Sequence, residues 1–409
     1  MRSDRIAQLH AAGSTAVKYT FFGMNFEVFA LERFQSIWEH KVAWNLAESG
    51  VHPLRVEELI DSEGDRQAVM SLPLGYPQTN GTPELRASIA SMYPGASPAH
   101  VQVTNGGSEA NLITLMHLVQ PSDQLVVMMP NYMQVRGLGR ALQAEVRHWA
   151  LSEGAGKDQP RWAPDLDSLR ALVTEHTRAI LICNPNNPTG ARLTASELDE
   201  ICRIAARSGA WVVSDEIYRG AELDGVETPT VWGRYERVIV TSGLSKAFAL
   251  PGLRIGWVVA PPALIDELWG VHDYTTIAPG AINDRLARIA LAPQRRELLL
   301  ARTRGILRTN SPTLTRWIER RAAALTHVPP EAGAIAFVRY SHRIGSTTLV
   351  ERIRDEQSVL VVPGDHFEMD GFLRIGFGCD PELLVPALER VGEVLDSVDA
   401  GTTRPANAR

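Results

Sequence analysis

Cysteine is scarce in this sequence, which also has no long apolar run and no excess of positive charge. Its 409 residues include only three cysteines, Cys183, Cys202 and Cys379, which are far apart and odd in number. This pattern argues against a disulfide framework and is typical of a reducing compartment, so we expect a cytoplasmic protein. No cysteine lies in a Cys-x-x-Cys pair and no two histidines stand four residues apart. The sequence therefore predicts no metal site.

The charge balance and the apolar runs argue against further classes of protein. With 41 Lys and Arg against 47 Asp and Glu, the formal net charge is −6, which argues against a nucleic-acid partner. The longest apolar runs, 125–129 and 255–260, are far shorter than the roughly 20 residues that cross a bilayer. The first twenty residues lack the apolar core of a signal peptide. We therefore expect no membrane partner, and the length suggests about two to three domains.

Short β-branched runs alternate with helical patterns from about residue 100, as in successive βαβ units. One of the predicted helices begins with a capping box at Thr194 and Glu197. Several runs are apolar on both faces, which favours a mostly parallel sheet covered by helices. The predicted strands are 101–104, 124–129, 179–183, 210–214, 238–241 and 255–259. We therefore predict one large α/β domain over residues 71–285.

The pattern changes after a long helical region at 294–324. Shorter strands and helices follow, including a strand at 359–362, and they indicate a smaller α+β domain over 286–398. The N-terminal segment 1–70 is expected to pack on this domain or on a partner subunit. Residues 399–409 lack periodicity and are expected to form a flexible tail.

A lysine at the end of a predicted strand is the strongest local signal. Lys246 ends the run Thr241-Ser-Gly-Leu-Ser-Lys246, and Arg254 follows eight positions later. A buried lysine readily becomes an amine nucleophile toward carbonyls, while serine hydroxyls and an arginine suit a phosphate. Taken alone, the segment is also compatible with a surface lysine in a glycine-rich loop.

Two further segments follow neighbouring predicted strands. Asn187 lies in the run Asn-Pro-Asn-Asn-Pro-Thr-Gly, and Asp215 and Tyr218 lie in Ser-Asp-Glu-Ile-Tyr. Ligands in open α/β sheets bind at the carboxyl ends of the strands. Each segment alone is also compatible with a turn, a helix cap or core packing.

Together with Lys246, these motifs resemble the fold type I enzymes that use pyridoxal 5'-phosphate, specifically the class I and II aminotransferases. The resemblance extends from about residue 45 to residue 395, with the motifs in the same order. It implies an α/β fold with a mostly parallel seven-stranded sheet between helices and a smaller α+β domain. It also implies transfer of an amino group between an L-amino acid and a 2-oxo acid through a Lys246 aldimine with the cofactor.

The resemblance implies a role for each motif residue. Lys246 would move protons at the substrate Cα, and Asp215 would hold the pyridine nitrogen of the cofactor protonated. Asn187 and Tyr218 would hydrogen-bond the ring hydroxyl, and Asn187 would also lie beside the substrate. Tyr132, at the end of a predicted strand, would stack on the cofactor ring.

The resemblance also implies a phosphate-binding site. The contacts that the resemblance implies are Gly107, Ser108, Ser245 and Arg254. The first two begin a predicted helix, whose backbone N–H groups and dipole favour an anion. The family usually has a serine where this sequence has Gly243, so either Ser242 compensates or one phosphate hydrogen bond is missing.

The resemblance implies roles for two more residues, one toward a partner subunit and one toward the substrate. Tyr76 resembles the tyrosine that reaches the phosphate in a neighbouring subunit, which implies a homodimer with shared sites. Arg374 resembles the arginine whose planar fork binds the substrate α-carboxylate.

The segment 45–53 occupies the place of a substrate-lining loop and carries Glu48 and Gly50. A carboxylate there would favour a basic or hydroxylated amino acid, although Glu48 is equally compatible with a surface acid. Residues 49–52, 273–274 and 362–364 also resemble a branch of the family, capreomycidine synthase, which removes a β-hydroxyl and cyclises its substrate.

Two reactions of the same cofactor therefore compete. Transamination is our prediction because it is the more frequent outcome among such sequences, and β-elimination with cyclisation is the alternative. Both begin with removal of the Cα proton by Lys246, so the motifs do not separate them. A cofactor-binding regulator would need a DNA-binding helix-turn-helix, and no basic recognition helix precedes the first motif. A nicotinamide dehydrogenase is disfavoured because the segment Gly137-Leu-Gly139 lacks a third glycine.

Overall fold

A computed structural model describes residues 18–21, 24–154 and 160–398. The expected tail, 399–409, and the first part of the N-terminal segment lie outside the described residues. The strands are β1 (Lys18–Phe21), β2 (Met24–Glu27), β3 (Trp44–Asn45), β4 (Val101–Thr104), β5 (Gln124–Met129), β6 (Glu145–Ser152), β7 (Ala163–Pro164), β8 (Thr177–Cys183), β9 (Trp211–Asp215), β10 (Val238–Gly243), β11 (Gly256–Val259), β12 (Leu325–His327), β13 (Ile335–Tyr340), β14 (Val359–Leu360), β15 (Val362–Pro363) and β16 (Phe372–Gly376). The helices are α1 (Ala30–Trp38), α2 (Val56–Leu59), α3 (Glu63–Met70), α4 (Pro83–Ala90), α5 (Gly107–Leu118), α6 (Gln134–Ala141), α7 (Leu166–Leu172), α8 (Ala195–Ser208), α9 (Pro262–His272), α10 (Ala281–Ala290), α11 (Pro293–Glu319), α12 (Ser346–Gln357) and α13 (Pro381–Ser397).

The central sheet has the strand order β4-β11-β10-β9-β8-β5-β6-β7. From β10 to β6 every neighbouring pair is parallel, whereas β11 and β7 run antiparallel to their neighbours. The α/β fold with a mostly parallel sheet is therefore confirmed. The sheet has one strand more than the expected seven, because the two-residue strand β7 pairs with the edge of β6.

Helices cover both faces of this sheet, as the doubly apolar strands predict. On one face, Ile113 of α5 and Leu138 of α6 pack in a cluster with Leu125 of β5. On the other, Leu198 of α8 packs in a cluster with Val126 of β5. Successive residues of β5 thus enter opposite cores, as strand alternation requires.

Local signals set several helix ends. The capping box before α8 is confirmed, because the Thr194 hydroxyl accepts from the Glu197 N–H at 3.2 Å while the Glu197 carboxylate accepts from the Thr194 N–H at 2.7 Å. The helix is capped at its C-terminus by Gly209, whose φ of +70° is the left-handed conformation that glycine adopts at low cost.

A second sheet, β12-β13-β16-β15, is antiparallel and lies beside α11 and α12. The strand expected at 359–362 is divided: β14 pairs in parallel with β3, and β15 pairs with β16. The pairing with β3 brings the chain after Asn45 against β16, where the Gly376 N–H donates to the Leu46 carbonyl at 2.7 Å. This contact places residues 46–50 beside the centre of the molecule.

Helix α1 packs against the second half of the chain. The Phe34 ring meets the His366 ring edge-on with centroids 5.3 Å apart, and the Arg354 guanidinium lies 3.9 Å from the centroid of the Trp38 ring. Within the described ranges, no helix is both long and apolar enough to cross a membrane.

Candidate active site

One cavity of about 320 Å³ opens where β8, β9 and β10 end, a size typical of a ligand site. Parallel strands deliver their carboxyl ends to the same edge of the sheet, so the loops after them meet there. The sequence-predicted residues that line the cavity are Glu48, Gly107, Ser108, Tyr132, Asn187, Asp215, Tyr218, Ser245, Lys246, Arg254 and Arg374.

Lys246 and Glu48 form an ion pair in this cavity. The Lys246 Nζ donates to the Glu48 Oε1 at 2.5 Å, and the same oxygen accepts from the backbone N–H groups of Ser49 and Gly50 at 2.9 and 3.0 Å. Burial alone would raise the pKa of Glu48, but the ammonium and the backbone donors outweigh it and hold that pKa at about 2. Burial opposes the charge on Lys246, yet Glu48 and Tyr218 raise the pKa of the lysine. Both groups are therefore charged here.

Asp215 ends strand β9 at the floor of the cavity. Its Oδ1 accepts from the Ile217 N–H at 3.1 Å, and its Oδ2 accepts from the Asn111 Nδ2 at 3.2 Å. Burial raises the pKa of Asp215, while these two hydrogen bonds favour the charged form. The carboxylate can bind a protonated nitrogen.

Arg374 lies in the middle of β16 and is 1% exposed. Its Nη1 donates to the Asn187 Oδ1 at 3.0 Å and its Nη2 to the Ala47 carbonyl at 2.5 Å, whereas its Nε has no partner. Nearby, the Tyr218 hydroxyl donates to the Ser49 Oγ at 2.9 Å, and burial raises the pKa of Tyr218 to about 12. The guanidinium is thus held in place by two hydrogen bonds, and its Nε–H remains unpartnered.

The start of α5 and Arg254 form an anion cradle. Gly106, before the helix, has a φ of +94°, and a Cβ at that position would collide with the Arg254 guanidinium. Arg254 itself has a φ of +45°, a left-handed conformation that costs free energy for an arginine. Backbone donors, the helix dipole and a cation therefore converge on one point, which suits a phosphate.

The residues before Lys246 include Ser242 and Gly243, where the sequence departs from the usual pattern of the family it resembles. The Ser242 hydroxyl donates to the Glu216 carbonyl at 3.2 Å, and Ser242 is not part of the cavity lining. A Cβ on Gly243 would lie 2.8 Å from the Ile255 carbonyl oxygen. A serine at position 243 would therefore collide with the backbone, and the Ser242 hydroxyl is engaged away from the cavity.

Two sequence-predicted residues lie outside the cavity lining. Gly50 contributes its N–H to Glu48, and a Cβ there would lie 3.4 Å from the Ser245 carbonyl oxygen. Tyr76 is 87% exposed and lies on the surface of this chain.

Sequence reasoning missed one wall of the cavity, the polar face of α1, which we define as Glu32, Gln35, Ser36 and Glu39. The Tyr132 hydroxyl donates to the Glu32 Oε1 at 2.7 Å, and the Gln35 amide donates to the Ala47 carbonyl at 3.0 Å. The spacing of these four residues predicts one face of an amphipathic helix. It does not predict what that face packs against.

Asn111 in α5 is the second residue that was missed. It is buried, it lines the cavity, and it contacts Asp215. Across the described part of the chain, no group of three or more His, Cys, Asp or Glu residues could hold a metal ion.

Comparison with known proteins gives consistent matches. The model of a family described as aminotransferase class I and II matches residues 46–391. A capreomycidine synthase from Streptomyces vinaceus is 33% identical over 326 residues, which cover 79% of this chain and 82% of that protein. An aspartate aminotransferase from Streptomyces avermitilis is 28% identical over 343 residues, covering 78% and 81%. The crystal structure of a PLP-dependent aminotransferase from Streptococcus suis has a TM-score of 0.85 at 33% identity, covering 91% of this chain and 99% of that one.

Proposed function

The chain belongs to the class I and II aminotransferases, and from that premise we propose that its amino donor has a basic or hydroxylated side chain. As a member of this family it is an enzyme that uses pyridoxal 5'-phosphate to transfer an amino group between an L-amino acid and a 2-oxo acid. The observation that carries the substrate proposal is the ionised Glu48 carboxylate inside the cavity.

The cavity fits this cofactor. Only glycine at position 106 lets the Arg254 guanidinium approach the start of α5, where a phosphate would bind. The residues that would hold the cofactor are Gly107, Ser108, Ser245 and Arg254 at the phosphate, Asp215 at the ring nitrogen, Asn187 and Tyr218 at the ring hydroxyl, Tyr132 on the ring face and Lys246 at the aldehyde carbon. When bound, the cofactor supplies an electron-withdrawing ring that stabilises negative charge at the substrate Cα.

The chain itself supplies orientation and proton transfer. Arg374 would bind the substrate α-carboxylate with its unpartnered Nε and a further guanidinium nitrogen. Lys246 would accept the Cα proton on its Nζ, which requires the neutral amine. Because Glu48 raises the pKa of Lys246, separation of the two groups favours the neutral amine.

The charges around the cavity support a basic donor over an acidic one. Among the described residues, the cations in its lining are Lys246, Arg254 and Arg374, and each already has a role with the cofactor or the α-carboxylate. The carboxylates of Glu48 and of the polar face of α1 have no such role. A basic substrate side chain would replace Lys246 as the cationic partner of Glu48, and a hydroxyl group would donate to it.

A donor screen tests this proposal. The holoenzyme is incubated with basic, hydroxylated, acidic and apolar amino acids and a 2-oxo acid acceptor, and keto acids are identified by mass. Glu48→Gln removes the charge while its amide oxygen still accepts from Ser49 and Gly50. We expect kcat/KM for a basic donor to fall about 10- to 100-fold, the loss of one charged contact, with little change for a neutral donor of similar length. An equal fall for both donors, or a preference for acidic donors, would contradict the proposal.

β-Elimination with cyclisation of a hydroxylated amino acid is the second candidate. The 33% identity to the capreomycidine synthase supports it, and the same cavity would serve, because Lys246 removes the Cα proton in both reactions. The donor screen separates them: a cyclic or unsaturated product, with no keto acid from any donor, would favour this candidate.

We also propose that the enzyme is a homodimer with shared sites. The end of α3 with the loop after it, and the segment after α9 with the start of α10, expose a set of large apolar side chains: Met70, Leu74, Tyr76, Tyr274, Ile277 and Ile282. The two regions adjoin, since Arg285 of α10 pairs with Asp65 of α3 at 3.6 Å. Exposed apolar patches of this kind mark interfaces. A second copy on this surface would bring Tyr76 toward the phosphate of its partner.

We also propose that the enzyme is cytoplasmic and has no nucleic-acid or membrane partner. Cys183, Cys202 and Cys379 are all free thiols, which favours a reducing compartment. The net charge of −6 disfavours a polyanionic partner. Fractionation of the native cells would test the location.

A further inference from the structure

Asn111 is a buried amide in α5 that lines the cavity and contacts Asp215. Its Nδ2 donates to the Asp215 Oδ2 at 3.2 Å and to the Gln134 Oε1 at 3.2 Å. Its Oδ1 accepts from the Thr241 hydroxyl at 2.7 Å. Asn111 and Thr241 are almost completely buried, so water does not replace these contacts.

The neighbours of Asn111 fix which way its amide faces. Thr241 lies in β10, and its hydroxyl donates to the amide oxygen of Asn111. Gln134 donates its own amide N–H to the Ser108 carbonyl at 2.8 Å, which turns its oxygen toward Asn111. A rotated Asn111 amide would set its oxygen against the Asp215 carboxylate and leave Thr241 without an acceptor. The network therefore aims an N–H donor at Asp215.

Asp215 depends on that donor. Apart from Asn111, the hydrogen bond to its carboxylate comes from the Ile217 N–H. Burial raises the pKa of Asp215, and the Asn111 hydrogen bond is the larger of the two contributions that lower it. Without this bond a larger fraction of Asp215 would be protonated, and a protonated carboxyl cannot pair with a protonated ring nitrogen.

We propose that Asn111, oriented by Thr241, is a positioning residue that keeps Asp215 ionised for the ring nitrogen of the cofactor. This inference rests on the proposed role of Asp215. The titratable groups that face Asp215 are the Cys183 thiol, which is opposite it on β8, and the Lys246 amine in the same cavity. Burial and Asp215 itself raise the pKa of Cys183, so this thiol stays neutral.

The test is the pH dependence of cofactor affinity, measured by equilibrium dialysis of the full chain. A Lys246→Ala background removes the titration of the lysine. In this background we expect Asn111→Leu to move the acidic midpoint of cofactor binding upward by about one pH unit, the effect of one hydrogen bond on a carboxyl. Thr241→Val should move it in the same direction by less, because it frees the amide without removing it.

Thr114→Val is the matched control. Thr114 lies in the same helix, is fully buried, and its hydroxyl has no hydrogen-bond partner, so the midpoint should not change. If Asn111→Leu fails to fold, Thr241→Val decides alone. An unchanged midpoint in the folded variants would overturn the inference. Asp215→Ala separates this result from failure of the proposed function: if Asp215 is not the partner of the ring nitrogen, its removal leaves the pH dependence unchanged.

Discussion

Asp215 and Glu216 are adjacent carboxyl groups whose surroundings favour different protonation states. Asp215 receives two hydrogen bonds in the cavity, and the proposed mechanism needs it charged. Glu216, the residue after β9, does not line the cavity. Its Oε1 accepts from the Thr230 hydroxyl at 2.9 Å and the Val231 N–H at 3.0 Å, while its Oε2 has no partner. Burial raises the pKa of Glu216 to about 7. Two adjacent positions thus carry one carboxyl group that lines the cavity and one that is buried away from it.

Replacement of Asp215 tests the functional member of the pair. We expect Asp215→Ala to lower kcat by at least about 100-fold, equivalent to ~2.7 kcal/mol of transition-state stabilisation, because the ring nitrogen loses its counter-ion. The substitution does not alter the anion cradle, so the variant should still bind the cofactor. Near-normal turnover in steady-state assays would contradict the assigned role.

Replacement of Glu216 tests the structural member through stability. Its folded-state pKa of about 7 exceeds the ordinary value of 4.5, so ionisation weakens the fold as the pH rises from 4.5 through 7. Glu216→Gln cannot ionise and should gain roughly 1–3 kcal/mol relative to the natural chain at alkaline pH. Urea unfolding at several pH values measures this difference. A difference that is constant with pH would show that Glu216 does not titrate in this range.

At the scale of elements, α5 links the anion cradle to the segment after α9. Glu109, in its first turn, accepts from the Asn105 N–H at 2.6 Å and from the hydroxyls of Thr275 and Thr276 at 2.6 and 2.8 Å. Its other close partner is His272, at 3.4 Å. Burial alone would raise the pKa of Glu109, but these partners hold it at about 2.

The lowered pKa of Glu109 predicts that its ionisation stabilises the fold, whereas ionisation of Glu216 weakens it. The stabilisation from ionised Glu109 is fully present above pH 4.5 and declines as the pH falls toward 2. Glu109→Gln should therefore cost roughly 1–3 kcal/mol at neutral pH, and the cost should shrink on acidification. Urea unfolding measures it, with Glu175→Gln as a control because that side chain is 87% exposed. A cost that persists unchanged at low pH would point to packing instead of charge.

The sequence allows prediction of those elements whose signals are local. Asn187, Asp215 and Lys246 each follow or end an apolar run, and parallel strands bring such ends together. The division of the strand at 359–362 could not be predicted, because its partner β3 has two residues and lies more than 300 positions away.

Side-chain contacts between residues distant in sequence could not be predicted either. Asn111 stands in a mostly apolar helix, and its contacts with Asp215 and Thr241 span 104 and 130 positions. The polar face of α1 follows the helical period, but that period is the same whether the face meets water or a cavity.

At the scale of the whole molecule, the exposed apolar surface around Tyr76 supports the proposal of a shared site. We predict that Lys246→Ala and Tyr76→Phe chains complement each other. In a mixed dimer, one site would combine the native Lys246 of one chain with the native Tyr76 of the other. Activity after the two variants are unfolded and refolded together should exceed the sum of their separate activities. No gain over that sum, in a sample shown to contain mixed dimers, would contradict shared sites.

The fate of the donor nitrogen tests the central claim most directly. The holoenzyme is incubated with a nitrogen-labelled basic amino acid and an unlabelled 2-oxo acid, and all products are identified by mass. The account predicts labelled nitrogen in the amino acid formed from the acceptor, together with the 2-oxo acid of the donor. A cyclic or unsaturated product that retains the label, with an unlabelled acceptor, would contradict it.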